Sequence, residues 1–286
     1  MRYVVLAFLA FMAASAYLTR HCLAASLTTI RDDIGFTEDD FGYLYSAFSL
    51  GYLLCQVPLG WLGQKYGTRA TLPRIASAWS ILTIITAALS SLWAMWATRF
   101  GFGLAQAGMV PNQAKVVKDW FPTQMRGKVS SVLAMAMSLG GAFTVAITPV
   151  LLVYLDWRDL FRVYSLVGLF WALAFFWFFR TRPEEHPKVN QAELDLIREG
   201  EEEAEKPEAE EAPTGCQAKG SWLWAFKELS ARALCWQLLF KAAGYNFFVT
   251  FFPAFLEEAY GIKKSEAGFL ATLPLLGVVF GSLFGG

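Results

Sequence analysis

"VVLAFLAFMAASAYLTRHCLAASLTT", residues 4–29, is the first long apolar run of the chain. About 20 apolar residues suffice to carry a helix across bilayer hydrocarbon, so the stretch predicts a membrane span. Arg20 and His21 interrupt it. An arginine at bilayer depth costs roughly 2.5–3.5 kcal/mol on insertion scales, which marks Arg20 as a residue with a use. Ala16, Tyr17 and Ala24 stand at i−4, i−3 and i+4. That face is small and polar-tipped, suited to close packing or a water-filled cavity rather than to lipid. The start, Met1-Arg2 followed by Ala14-Ser15-Ala16, imitates a secretory signal with its cleavage site. The apolar run continues to about Ile30, however, and seven similar runs follow, so it is read as an uncleaved span.

Those runs fall at about 42–63, 75–92, 94–117, 129–154, 161–179, 233–256 and 266–286. Composition agrees, with 56% hydrophobic and 17% charged residues where soluble domains carry about 25% charged. A formal net charge of zero hides strong segregation. Lys65, Arg69 and Arg74 follow span two, and Lys118, Arg126 and Lys128 follow span four, whereas the loop after span one holds Asp32, Asp33, Glu38, Asp39 and Asp40 against Arg31. The positive-inside rule then predicts a cytoplasmic N-terminus and cytoplasmic even-numbered loops. Arg158 and Arg162, after span five, run against it. Cys22, Cys55, Cys216 and Cys235 form no C-x-x-C pair and read as small packing residues.

"EGEEEAEKPEAEEAP" (199–213) has eight Glu between 199 and 211 and no apolar anchor, a composition that cannot bury enough surface to fold. The organisation expected is therefore a six-helix lobe over 1–180, an acidic cytoplasmic linker over 181–230, and two helices of a second lobe over 231–286. The chain closes on "LLGVVFGSLFGG" inside an apolar run. A helix ending in mid-bilayer strands its last carbonyls, so a truncated product or fragment is expected.

Several polar residues inside the spans mark a candidate site. Tyr45, Ser49, Tyr52 and Gln56 recur at helical spacing in span two. Arg99, Gly103, Gln106, Val110 and Gln113 share one face of span four, whose glycines permit close helix approach. Lys241, with Tyr245 and Asn246, adds a second cation in span seven. Arg20 and Lys241 have no intramembrane carboxylate to pair them, which implies an anion from outside, a carboxylate or phosphate in the simplest case. "GFGLAQAG" (101–108) lacks the third glycine of a dinucleotide loop and lies within a span. With two histidines, His21 and His186, and no H-E-x-x-H, G-x-S-x-G or metal-spaced cluster, the sequence predicts neither an enzyme nor a cofactor site, and no nucleic-acid contact.

The plan of six spans and a long linker resembles the major facilitator superfamily. "GWLGQKYGTR" (60–69) is similar to its loop motif and "RFGFG" (99–103) to its fourth-helix R-x-x-x-G. More narrowly, the chain resembles the anion–cation symporters, which include vesicular glutamate transporters, sialin and bacterial sugar-acid symporters. "YLTRHCLAASL", "GYLLCQVPLGWL", "RFGFGLAQAGMVPNQ", "WRDLF", "RPEEHPKVNQAEL" and "FFPAFLEEAYGIKKSEAGFLATLP" carry this, the H-P-x-x-x-x-x-E run from His186 most specifically. The resemblance implies an all-α polytopic membrane fold that moves a small organic anion by alternating access in the plasma membrane. It places Arg20 as the carboxylate-binding arginine, Tyr52 and Gln56 in the pocket wall, Arg99 as the fourth-helix arginine, and Lys241 at a basic position of the seventh helix. Gln64 and Arg69 belong to the gating loop motif, with Gln64 in place of its acid. Gln106 stands where many members have a proton-carrying glutamate, and Thr19 where sugar-acid symporters have an aspartate. An amide cannot titrate, so the usual proton site is absent, and transport without the family's proton coupling is expected, as a uniporter, an anion exchanger or a sodium-coupled carrier. An organophosphate–phosphate antiporter, or a non-transporting membrane remnant, are the other readings.

Overall fold

In the computed structural model the described residues are 1–197 and scattered positions between 229 and 281. By contacts the chain divides into a unit of Met1–Glu201 with Leu275–Gly286, and a second of Glu202–Pro274. Residues 1–197 form the helical lobe of the first unit.

Eight α-helices build this lobe: α1 (Arg2–Ala25), α2 (Leu27–Ile34), α3 (Glu38–Tyr66), α4 (Thr68–Ala87), α5 (Leu92–Gln106), α6 (Met109–Trp120), α7 (Thr123–Leu151) and α8 (Trp157–Phe178). Several of their ends carry a local chemical cause. Thr37 and Asp40 form a reciprocal capping box ahead of α3, satisfying donors that the helix leaves free. Gly67 joins α3 to α4 at φ +80, a conformation that side chains with a Cβ resist. Asp156 caps α8 by accepting from the Arg158 N–H.

Two expected spans are broken. The first apolar run divides at Ser26 into α1 and the short α2. The fourth divides between α5 and α6 at Ala107–Gly108, four residues before Pro111. A proline ring clashes with the carbonyl four residues back and offers no N–H to it, which is the physical reason for the break. The face projected through span four therefore does not hold throughout. Arg99, Gly103, Gln106 and Gln113 are buried, but Val110 is 38% exposed.

By length and composition α1, α4, α7 and α8 can each cross a membrane. At 29 residues α3 is also long enough, with a more polar sequence, while α5 and α6 make one crossing only as a pair. α1 packs on α7 and α8, α3 on α5, and α4 on α5 and α8. Backbone comes close to backbone at the α3–α5 seam. A Cβ on Gly51 would meet the Phe100 carbonyl, and one on Gly103 the Phe48 carbonyl. Ser and Thr hydroxyls inside the bundle bond back to their own helices, as Thr83 does to Trp79 and Thr144 to Gly140, so few hydroxyl groups are left unpaired in an apolar setting.

The two ends of the bundle differ in charge. At one, Arg158 pairs with Asp33 and donates to Ser90 Oγ at 3.1 Å, Arg31 pairs with Glu38 at 2.6 Å and Arg162 with Asp159 at 2.6 Å. The other gathers the N-terminus and the residues after α8. The Met1 ammonium lies 2.9 Å from Glu193 Oε1, which also accepts from the Arg2 N–H at 2.9 Å. His186 is buried against Trp120 and Phe178. The front of the segment expected as a linker is thus docked on the lobe through His186 and Glu193.

Candidate functional site

Arg20 lies in the interior of α1, half-buried. Its Nε donates to Gln106 Oε1 at 2.7 Å. The Gln106 amide in turn donates from Nε2 to the Ala16 carbonyl at 2.9 Å. Both bonds agree on which end of the amide is oxygen, so Gln106 clamps the arginine from α5. Three rings surround the guanidinium: Tyr17 at 4.6 Å, Phe48 at 4.9 Å and Tyr52 at 5.1 Å from its carbon to the ring centroids. Such rings attract a cation through their quadrupoles without neutralising it. Nη2 is buried without a hydrogen-bond partner among the described residues. The result is a fixed cation with a donor edge unused.

Three of the expected site residues, Tyr17, Tyr52 and Gln106, therefore meet Arg20. Phe48 joins them without a polar atom to mark it in the sequence, although it stands one turn before Tyr52 on the same stripe. Gln56 is exposed on α3, one turn beyond Tyr52. Arg99 is a separate, deeper cation. It is 3% exposed, its centre lies 5.4 and 5.6 Å from the Phe102 and Phe161 rings, and it sits beside Cys22 and Tyr45. Tyr45 packs against the apolar cluster that holds Cys22 and Phe161. Arg69 donates to the Phe176 carbonyl at 3.3 Å and lies over its ring, holding the start of α4 to α8, and Gln64 is exposed. Lys241, Tyr245 and Asn246 lie outside the described residues. Two further buried amides tie helices together: Gln113 donates to the Leu9 carbonyl at 3.0 Å and Asn112 to the Leu59 carbonyl at 3.0 Å. Among the described residues no group of three His, Cys, Asp or Glu is placed to hold a metal.

A polytopic all-α bundle with a caged arginine at its heart defines a class of membrane protein. A sequence model of the Major Facilitator Superfamily matches residues 9–286, and the chain belongs to that family. It is 30% identical over 291 residues to a D-galactonate transporter of Escherichia coli, covering 100% of this chain and 66% of that protein. It is 27% identical over 289 residues to a probable sulfoacetate transporter of Cupriavidus necator, covering 100% and 64%. Against a probable galactarate/D-glucarate transporter of Bacillus subtilis the identity is 30% over 285 residues, covering 94% and 60%. The chain thus spans a little under two thirds of the length of these relatives. Among solved structures, the proton:xylose symporter XylE matches with a TM-score of 0.73 at 11% identity, over 99% of this chain and 68% of that one. A bacterial homologue of the human lysosomal transporter Spinster matches with 0.71 at 19% identity, over 96% and 60%. At those identities the shared property is the fold.

Proposed function

We propose that this protein moves a small organic anion, a sugar acid or another carboxylate, across the plasma membrane by alternating access, with Arg20 as the anion anchor. The observation that carries the proposal is the Arg20 guanidinium. It is held from Gln106 through Nε alone, is framed by aromatic rings, and leaves Nη2 without a partner among the described residues. A planar fork with a free edge suits a carboxylate, which accepts two parallel N–H bonds. The relatives named for galactonate, galactarate and sulfoacetate transport support an acidic cargo. Gln106 positions the arginine and, as an amide, carries no proton.

The orientation proposed is N-terminus inside. The charge pattern supports it, because Arg31, Arg158 and Arg162 stand at one end of the bundle among acidic partners and are outnumbered by the Lys and Arg near the other. Lys65, Arg69, Lys118, Arg126 and Lys128 supply the basic excess near the other.

Equilibrium binding of labelled D-galactonate to the purified chain tests the anchor. Losing charged hydrogen bonds worth about 1.5–3 kcal/mol each predicts at least a tenfold weaker Kd for Arg20→Ala. Arg20→Lys keeps the charge but loses both the fork and the Gln106 bond, and is expected to recover little. Equal affinity in wild type and Arg20→Ala would overturn the reading.

A further inference from the structure

His21 follows Arg20 in α1 and is 8% exposed. Its ring centroid lies 5.6 Å from that of Tyr17, the same ring that faces the Arg20 guanidinium. Opposite stands Gly141 of α7. A Cβ there would come within 3.3 Å of His21 Nε2 and 3.7 Å of Tyr17 Cδ1, so the imidazole lies close against the α7 backbone at this glycine. Nε2 is buried and has no hydrogen-bond partner among the described residues. A native structure keeps few such groups, and each calls for a reason.

Among the described residues the neighbourhood has no other group suited to exchanging a proton near neutral pH. Gln106 is an amide. The Thr19 hydroxyl turns back onto the Ser15 and Ala16 carbonyls at 3.1 Å. On its own helix His21 has Arg20, Tyr17 and Cys22 for company. On α7, the helix packed against it, the charged residues are Arg126 and Lys128, and the nearer of these is about 20 Å along the helix from Gly141. Tyr45 and Tyr52 on α3, Arg99 on α5 and Tyr164 on α8 complete the inward-lying titratable groups. The carboxylates of α3, α6 and α8 lie in terminal turns, and α1, α4, α5 and α7 have none.

We propose that His21 is the proton-binding group of the anion site, taking up a proton when an anion occupies Arg20 and releasing it when the anion leaves. This rests on the reading of Arg20 as the anchor. A proton on the buried imidazole meets like-charge repulsion from the nearby guanidinium, and an anion on the guanidinium offsets that charge and lifts the repulsion. The proton comes from water on the open side and adds to the ring, giving an imidazolium with N–H on both nitrogens. A monocarboxylate and one proton then travel together with no net charge. Coupling of this kind needs no carboxylate at Gln106 or Thr19.

The chain has two histidines, which makes the imidazoles directly observable. Isotope-labelled histidine in the full chain, with His186→Asn to assign the signals, is followed by NMR near pH 6.5, the ordinary midpoint of the ring, while D-galactonate is added. The His21 signal is expected to move from neutral ring to imidazolium, with uptake of about one proton per anion bound in weakly buffered solution. His21→Asn is expected to abolish that uptake per anion bound and to flatten the pH dependence of the affinity. A His21 signal that stays put while galactonate binds, or wild-type proton uptake in His21→Asn, overturns this proposal alone. Galactonate that fails to bind the wild-type chain, or binds Arg20→Ala equally well, overturns the anchor and this proposal with it.

Discussion

The α3–α5 seam can be broken by a single methyl group. A Cβ on Gly103 would lie 2.9 Å from the Tyr52 amide nitrogen and closer still to the Phe48 carbonyl oxygen. One on Gly51 would lie 2.9 Å from the Leu104 amide nitrogen and closer to the Phe100 carbonyl oxygen. Carbon and oxygen settle at about 3.3–3.6 Å, so either alanine must drive the helices apart by roughly 1 Å. The obstacle is backbone, which cannot swing aside as a long side chain can. Overpacking of this sort costs about 1–3 kcal/mol, and the backbone clash places each alanine near the upper end. Thermal unfolding of the purified chain in detergent, followed by tryptophan fluorescence, should show each single variant melting about 5–10 °C lower. The double variant supplies the sharper test. One separation of the helices relieves both clashes, so Gly51→Ala with Gly103→Ala should cost less than the sum, by about 1 kcal/mol or more. An unchanged midpoint in either single variant, or strict additivity in the double, would refute the reasoning.

Two more outcomes concern the bundle ends. The Arg158 guanidinium and the Trp157 indole N–H donate to Asp33 and hold its carboxyl below the usual carboxylate range. A depressed folded-state value means stability that is present above the unfolded value and lost as pH falls through the folded one. The midpoint difference between wild type and Asp33→Asn should therefore be constant at neutral pH and shrink below about pH 4; a difference that survives full protonation would refute the pairing. Burial alone would raise Glu193, but the Arg2 N–H and the Met1 ammonium outweigh it and hold its carboxyl below the usual range. Glu193→Ala should lower the melting midpoint by a few degrees, since it removes about 1–2 kcal/mol of capping and ion pairing, with Glu193→Gln in between; midpoints equal to wild type would show the clasp contributes nothing.

The membrane class and the helical lobe are legible from the sequence, because a bilayer imposes a length on every span and a cost on every charge within it. Those two rules act locally, residue by residue. They locate the long helices of the lobe to within about two turns, single out Arg20 as expensive, and mark Tyr17, Tyr52 and Gln106 as polar residues within apolar runs. Pro111 also stands in plain view, yet the helical repeat that begins at Arg99 projects on to Val110 and Gln113, and the helix breaks at Ala107–Gly108 instead. Local rules cannot supply partnership across the fold. Arg20 and Gln106 are 86 positions apart, Met1 and Glu193 are 192 apart, and no periodicity links them. The same holds for Arg158 and Asp33, 125 positions apart, which pair across the fold. Tyr45 shares the span-two stripe with Tyr52 by spacing, yet Tyr45 packs against the cluster of Cys22 and Phe161 while Tyr52 meets Arg20. Helix packing decides such pairs, because it sets which faces meet and at what depth, and a buried polar atom takes whatever partner that geometry brings within reach.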